Sequence, residues 1–328
     1  MYIGWIHHYF PKLFGGLAFL VNPLFVYLVF TEKTNSFGNY RFLLLYFAIF
    51  NVVYSMLEVA VPIGIDGFRY CFFLFLTDGF FVSPSPFHHY ILTTRCSMLA
   101  CSYAILISHF VYRLLVLNRS DFTKHKFPLY MAISFALCAV YFLFFAWICE
   151  KWLFVTDETK RYIGENFLEK YGDNVSEYNI MGAIYNEGSQ EDVWRSWYGI
   201  GMLVIMSSAS VSVYIFCGHK IMQKLNSARL IMSASTAALQ RKLLKALTVQ
   251  TVIPICVSFL PSIVAWFSPV FNYNMGRTFN YTGVIALSAF PFFDPVAIIF
   301  FLPVLRNRLF RTKRTESLPP SMVSISTR

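Results

Sequence analysis

Residues Phe127–Cys149 read FPLYMAISFALCAVYFLFFAWIC, 23 residues without one charge. A helix needs roughly 20 apolar residues, rising about 1.5 Å each, to cross the hydrocarbon core of a bilayer. Six further stretches have the same character. Leu13–Thr31, Ser196–His219 and Ala246–Gly276 carry no charge, and Cys96–Tyr112 extends outward past Arg95. Phe42–Gly64 is interrupted only by Glu58, and Phe279–Leu305 only by Asp294. One such run fits a soluble core; seven in one chain do not. The expected fold is an all-α membrane protein, a seven-transmembrane helix bundle.

The composition agrees. The chain is 57% hydrophobic and 13% charged, where soluble domains run near about 25% charged. Its mean hydropathy is +0.54. Seven spans and their connections fill the 328 residues, so we expect one membrane domain over 1–310 and a cytoplasmic tail over 311–328, without a soluble enzyme domain. The first apolar run is long, lacks a small-residue cleavage site and carries Asn22-Pro23, which favours a retained span over a signal peptide.

Seven spans put the termini on opposite sides. With the N-terminus outside, the inner segments hold 18 of the 27 Lys and Arg against three acids, Glu32, Asp121 and Glu316. The long loop Glu150–Arg195 holds ten of the 17 acids. Basic residues mark cytoplasmic connections, so the N-terminus is expected outside. The net charge of +10 is therefore a topology signal and does not imply a nucleic-acid partner. All six tryptophans lie at or beside outer span ends, as an interfacial belt requires. Trp197 and Trp266 fit an outward-facing aromatic pocket equally well.

The outer segments carry smaller signals. Of the sequons at Asn118, Asn174 and Asn280, Asn174 lies well outside the membrane and is the expected glycosylation site. Tyr70–Val82 is too short to span, and Asp78-Gly79 is a turn signal between aromatic runs, so an outer β-hairpin after helix two is expected. Cys71 and Cys149 are the cysteines best placed to meet an oxidising exterior and form a disulfide. No zinc spacing, phosphate-binding glycine loop or catalytic motif occurs, and His88-His89 reads as an interfacial pair, so no metal, cofactor or enzymatic activity is implied.

Polar residues inside the spans need partners. Counting about 1.5 Å per residue from the inner boundary puts Asn22, Asn51 and Asp294 in one layer at roughly 15–18 Å, a candidate hydrogen-bonded cluster of helices one, two and seven. The same count puts Glu58 and Arg95 together at about 26 Å, a candidate outer ion pair. On the cytoplasmic side, Tyr112-Arg113 ends the third span. The third inner connection, Lys220–Lys245, has no acids and presents Lys220 with Lys224 and Arg241 with Lys245 at helical spacing. Lipid anchoring and partner docking both fit these basic residues. The prolines Pro254, Pro261, Pro291, Pro295 and Pro303 mark kinks in the last two spans.

These residues carry a family resemblance. Asn22-Pro23, the run from Gly38 to Leu43, His109 to Arg113, Leu243 to Pro254 and Phe290 to Pro295 occur in order at fitting spacings. From about Pro11 to Leu309 the chain resembles the nematode chemoreceptors of the Str superfamily, within the G-protein-coupled receptor class. The resemblance implies an odorant-type receptor of the plasma membrane, in sensory cilia, that binds a small-molecule chemical cue and activates a heterotrimeric G protein. Candidate ligand contacts are Met98, Leu99, Ser102, Tyr103, Trp197, Met202, Trp266 and Phe290; candidate coupling residues are Tyr112, Arg113, Lys220, Lys224, Arg241 and Lys245. The chain departs from rhodopsin-like receptors in three ways. No acid precedes Arg113, Asp294-Pro295 stands where they have Asn-Pro, and no cysteine lies in Lys151–Arg195. A ligand-gated channel or a small transporter is the competing class. A transporter should show internal repeats, which these seven dissimilar spans lack.

Overall fold

The computed structural model describes residues 4–32, 37–118, 120–123, 125–227, 234–273 and 275–310. The tail 311–328 and the centre of the third inner connection, 228–233, lie outside the described residues. In chain order the elements begin with α1 (Trp5–Phe30), α2 (Tyr40–Ala60), β1 (Ile63–Phe68), β2 (Cys71–Leu76) and α3 (Pro86–Leu117). There follow α4 (Phe127–Trp152), α5 (Asp157–Tyr171), β3 (Ile180–Ile184) and α6 (Gln190–Ser227). The chain ends in α7 (Ala234–Pro254), α8 (Leu260–Phe267), α9 (Gly276–Phe301) and α10 (Pro303–Leu309). Among the described residues, seven helical stretches are long and apolar enough to cross a membrane, as the sequence led us to expect. The sixth, Gln240–Phe271, is a composite of α7, α8 and the turns joining them.

That joint has a clear cause. Pro254 and Pro261 each lack an N–H and crowd the preceding turn. Between them Ile255–Phe259 widens into a π-helical turn, in which the Leu260 N–H reaches back five residues to the Ile255 carbonyl. Proline also trims the other spans. The second was expected to reach Gly64, but Val61 leaves the helical region ahead of Pro62 and α2 stops at Ala60. The seventh ends at Phe301 ahead of Pro303 instead of reaching Leu305.

Three antiparallel strands in the order β1-β2-β3 cover one end of the bundle. The expected hairpin after helix two is present, with its strands shifted. Ile63–Phe68 is the first strand, and the turn is Arg69-Tyr70, where Arg69 adopts φ +49°. Asp78-Gly79 also turns, with Gly79 at φ +95° and its N–H on Asp78 Oδ1, but it steers the chain into α3 instead of closing the hairpin. The third strand comes from the acidic loop between α4 and α6. Gly182 is required there, since a Cβ would sit 2.6 Å from the Phe72 carbonyl oxygen.

Alternation along the strands gives the sheet two apolar faces. Ile63, Phe72 and Leu76 pack on the bundle. Cys71, Phe73 and Phe75 face α5, against Ile163, Phe167 and Tyr171. Within the acidic loop Glu150–Arg195 the structure forms a helix, α5. Its boundaries were nevertheless written in the sequence. Thr156 caps the helix by accepting the Thr159 N–H, and Gly172 closes it at φ +77°.

One buried carboxylate ties these layers together. Asp66 on β1 is 1% exposed. It accepts Lys170 Nζ at 2.6 and 2.5 Å and Tyr171 OH at 2.7 Å, both from α5, and Asn280 Nδ2 at 2.8 Å from α9. Breaking a buried ionic network by removing its carboxylate costs about 3 kcal/mol. Asp66→Ala is therefore expected to lower the thermal midpoint of the detergent-solubilised protein by several degrees. The exposed Glu177→Ala should not move it. An unchanged midpoint in Asp66→Ala would show that the network does not hold the lid.

Candidate functional site

Two sites stand out, one at each end of the bundle. The first is a cavity of about 70 Å³ between the sheet and the helices. Its roof is Ile63, Ile65, Phe72 and Leu74 of the hairpin with Met181 and Gly182 of β3. Its walls include Leu99, Phe145, Leu203, Trp266 and Leu287, from five spans. At its margin lie Tyr54 and Arg95, the polar groups discussed next.

Arg95 is 2% exposed, which an isolated guanidinium could not tolerate in an apolar medium. Its Nη2 donates to Glu58 Oε1 in a fully buried ion pair, and Nη1 donates to Tyr54 OH at 3.3 Å. The guanidinium also lies 4.9 Å from the Tyr54 ring centroid. Glu58 Oε2 accepts Ser288 Oγ at 2.6 Å. The pair that depth counting suggested thus joins α2, α3 and α9.

Of the candidate ligand contacts, Leu99 and Trp266 line this cavity and the other six do not. Met98 lies on another face of α3 and lines a separate groove between α2, α3 and α4. Ser102 Oγ turns back to the Leu99 carbonyl at 2.7 Å, and Tyr103 packs edge-on against Phe259 one turn deeper. Met202 packs beside the cavity's core cluster, and Phe290 packs on Tyr54. Trp197 is exposed on the outside of the bundle, edge-on to Tyr185, and belongs to the belt. Span assignment alone does not reveal which face of a helix a side chain occupies, and the sheet residues came from outside every span.

The disulfide expectation fails for a topological reason. Cys71 and Cys149 are both free. Cys71 sits on the α5 face of β2 while Cys149 lines the cavity on the opposite face, so the strand lies between them. Burial pushes the Cys71 thiol well above its ordinary pKa, which keeps it protonated.

The mid-membrane layer is partly assembled. Asn22 Nδ2 donates to the carbonyls of Ala18 at 2.9 Å and Pro291 at 3.0 Å, and Asn51 Nδ2 donates to Asn22 Oδ1 at 3.3 Å. The link from α1 to α9 uses the backbone carbonyl freed near a kink, not Asp294. Asp294 is buried, but its Oδ1 has no hydrogen-bond partner among the described residues. Sequence depth placed the carboxyl at the right height without fixing its direction around the helix.

The second site is at the basic end. Arg113 is 5% exposed and, lacking the neighbouring acid, stacks on Tyr40 of α2 with Cζ 3.5 Å from the ring centroid. Tyr40 in turn stacks on Tyr112 and bonds His109 Nδ1 at 2.9 Å. A desolvated cation–π contact is worth about 2 kcal/mol, and Arg113 Nε and Nη2 have no hydrogen-bond partner among the described residues. The four other basic candidates lie on helices, since α6 and α7 extend past the bundle. Lys220, Lys224 and Lys245 are exposed, and Arg241 is half-buried.

Seven crossing helices, a lidded apolar cavity at one end and a buried arginine at the other define a seven-transmembrane receptor. Residues 1–309 match the family of serpentine-type seven-transmembrane G-protein-coupled chemoreceptors designated Srj, and the chain belongs to that family. It is 42% identical to serpentine receptor class J-38 of Caenorhabditis elegans over 97% of both chains. It is 24% identical to serpentine receptor class r-10 of the same organism, over 90% of this chain and 87% of that one. It is 21% identical to the C. elegans G-protein coupled receptor str-33, over 91% and 87%. The protein is an integral multi-pass membrane protein of a chemoreceptor family, as the Str resemblance implied.

The sequons now separate by environment. Asn174 is exposed, whereas Asn280 is 8% exposed with its amide on Asp66. Deglycosylation of protein from a eukaryotic host is expected to shift the mobility of wild type and of Asn280→Gln but not of Asn174→Gln. A shift that survives Asn174→Gln rules that acceptor out.

Proposed function

We propose that this chain is a chemosensory G-protein-coupled receptor that binds a small apolar molecule in the cavity beneath the sheet and activates a heterotrimeric G protein at Arg113. The buried Arg95–Glu58–Ser288 chain carries this reading, because it connects the cavity lining to three helices at once. The acidic loop and sheet face outward and the basic end faces the cytoplasm by the charge bias of the connections. The receptor operates in the plasma membrane, in a sensory cilium.

The chemistry follows from position. An occupant of the cavity touches Ser262, Ala265 and Trp266 on α8, just beyond the π-helical turn. Pushing there pivots α7 about Pro254 and Pro261, where the helical ladder is already broken. The inner half of α7 then parts from Leu106 and Phe110 of α3, with which Leu244 and Leu247 share a cluster. The opened cleft exposes the free Nε–H and Nη2–H donors of Arg113 to the carbonyls and carboxylate at the end of a G-protein helix. Lys220, Lys224, Arg241 and Lys245 surround that cleft with positive charge and also hold the helix ends to anionic lipid of the bilayer.

Arg113→Ala is expected to abolish receptor-stimulated nucleotide exchange on the G protein while surface delivery persists. Arg113→Lys should retain little activity, because an ammonium lacks the planar fork and the stack on Tyr40. Activity near wild type in Arg113→Lys would identify Arg113 as a snorkelling anchor only. At the other end, Leu99→Trp narrows the cavity and should remove the response to any cavity ligand while surface delivery persists; a full response would move the ligand site elsewhere.

A further inference from the structure

A second apolar hollow lies on the outside of the bundle. There α2 and α4 both pack on α3 but meet one another through ring contacts, Phe42 with Phe127 at 6.0 Å and Tyr46 with Phe135 at 4.4 Å. Between them runs a groove of about 660 Å³, floored by Met98 and Cys101 of α3. Ile49, Val53 and Phe135 on its walls are exposed. None of the lining residues carries a charge. A hollow of this chemistry on a membrane-spanning face takes hydrocarbon, because a polar occupant would lose its hydration without gaining partners.

The inner end of the groove has a different chemistry. Phe42 and Phe127 close it there, and a cation precedes each, Arg41 and Lys126. The Arg41 guanidinium lies 5.0 Å from the Phe42 ring centroid. Lys126 is exposed and Arg41 half-buried, and neither forms an ion pair among the described residues. Asn39 Nδ2 donates to the Thr123 carbonyl at 3.1 Å, which ties the start of α2 to the connection before α4. That connection carries Arg119, Lys124 and Lys126 against Asp121. No acid lies in the first turn of α4, so its positive dipole end adds to the same sign.

An apolar slot with cations at its mouth matches a molecule with a long hydrocarbon chain and an anionic head. A sterol would fill the slot but bring no counter-charge, and a zwitterionic lipid would bring a cation of its own to Arg41 and Lys126. We propose that the groove is a binding site for one anionic glycerophospholipid of the inner leaflet, with an acyl chain along α2 and α4 and the headgroup against Arg41 and Lys126. It differs from the general attraction of bilayer lipid to Lys220 and Lys224, because one molecule must meet slot and cations together. The site also adjoins the coupling end, since Phe127 packs edge-on to Tyr112 at 6.0 Å. It is independent of the cavity beneath the sheet.

The test uses the full chain in detergent micelles and native mass spectrometry, with three probes: palmitoyl-oleoyl phosphatidylserine, the matching phosphatidylcholine, and cholesterol. The first equivalent of phosphatidylserine is expected to bind about tenfold more tightly than phosphatidylcholine, the effect of two cations near the membrane surface. Arg41→Gln with Lys126→Gln should abolish that preference, whereas Lys220→Gln with Lys224→Gln should keep it. Because Lys126 is exposed, Lys126→Gln alone should fold and reduce the preference about threefold. Ile49→Trp with Met131→Trp narrows the groove with both cations in place and should weaken both phospholipids. Equal affinity for the two phospholipids in wild type, or tighter binding of cholesterol than of phosphatidylserine, overturns the anionic-lipid assignment. A preference lost equally in the Lys220 and Lys224 variant would show diffuse attraction to basic residues and overturn the site. Unchanged phospholipid binding in the tryptophan variant would remove the acyl chain from the groove.

Discussion

The Arg95–Glu58 ion pair is the constraint around which the outer half of the molecule is arranged. Each charge alone would be prohibitive in hydrocarbon. Together they are tolerable only with further hydrogen bonds, which Tyr54 and Ser288 supply. That requirement fixes the rotation of α2, α3 and α9 about their axes. It also places a guanidinium edge on the lining of an otherwise apolar cavity.

The lid is a second consequence of the same medium. Open strand edges and unpaired backbone groups are excluded from the hydrocarbon, so irregular chain must lie at the interface or inside protein. Here the hairpin and β3 pair with one another and pack between α5 and the bundle. Asp66 bonds both α5 and α9, so the lid is fastened to the transmembrane helix that also carries Ser288. Movement of α9 and movement of the lid are mechanically linked. At the opposite end, stacking of Arg113 on Tyr40 replaces the intrahelical acid of rhodopsin-like receptors. A cation–π contact holds the arginine without consuming all its donors, and Nε and Nη2 remain available for a partner.

The sequence made the spans legible because crossing a bilayer demands a long uncharged run that nothing else in a chain this size explains. Depth counting made the Glu58–Arg95 pair legible, because buried charges must find each other and only one layer contained both. It worked less well for Asp294, where height was readable but direction around the helix was not. The sheet was half legible. Asp78-Gly79 announced a turn, yet Ile63 and Gly64 of β1 read as the end of the apolar span Phe42–Gly64, although Pro62 breaks it. The α5 layer was missed although Thr156 and Gly172 mark its ends. Six of the eight proposed ligand contacts lie off the cavity because span assignment does not reveal which face of a helix a side chain occupies.

The central claim is that occupancy beneath the sheet is read at the basic end through the hinge between Pro254 and Pro261. The most direct measurement is the distance between spin labels at Asn118, beyond the end of α3, and Lys245, on the inner part of α7. With a saturating ligand of the cavity, the account expects this distance to lengthen in wild type and to stay fixed in Leu99→Trp. An unchanged distance in wild type at saturation, or the same lengthening in Leu99→Trp, would contradict it.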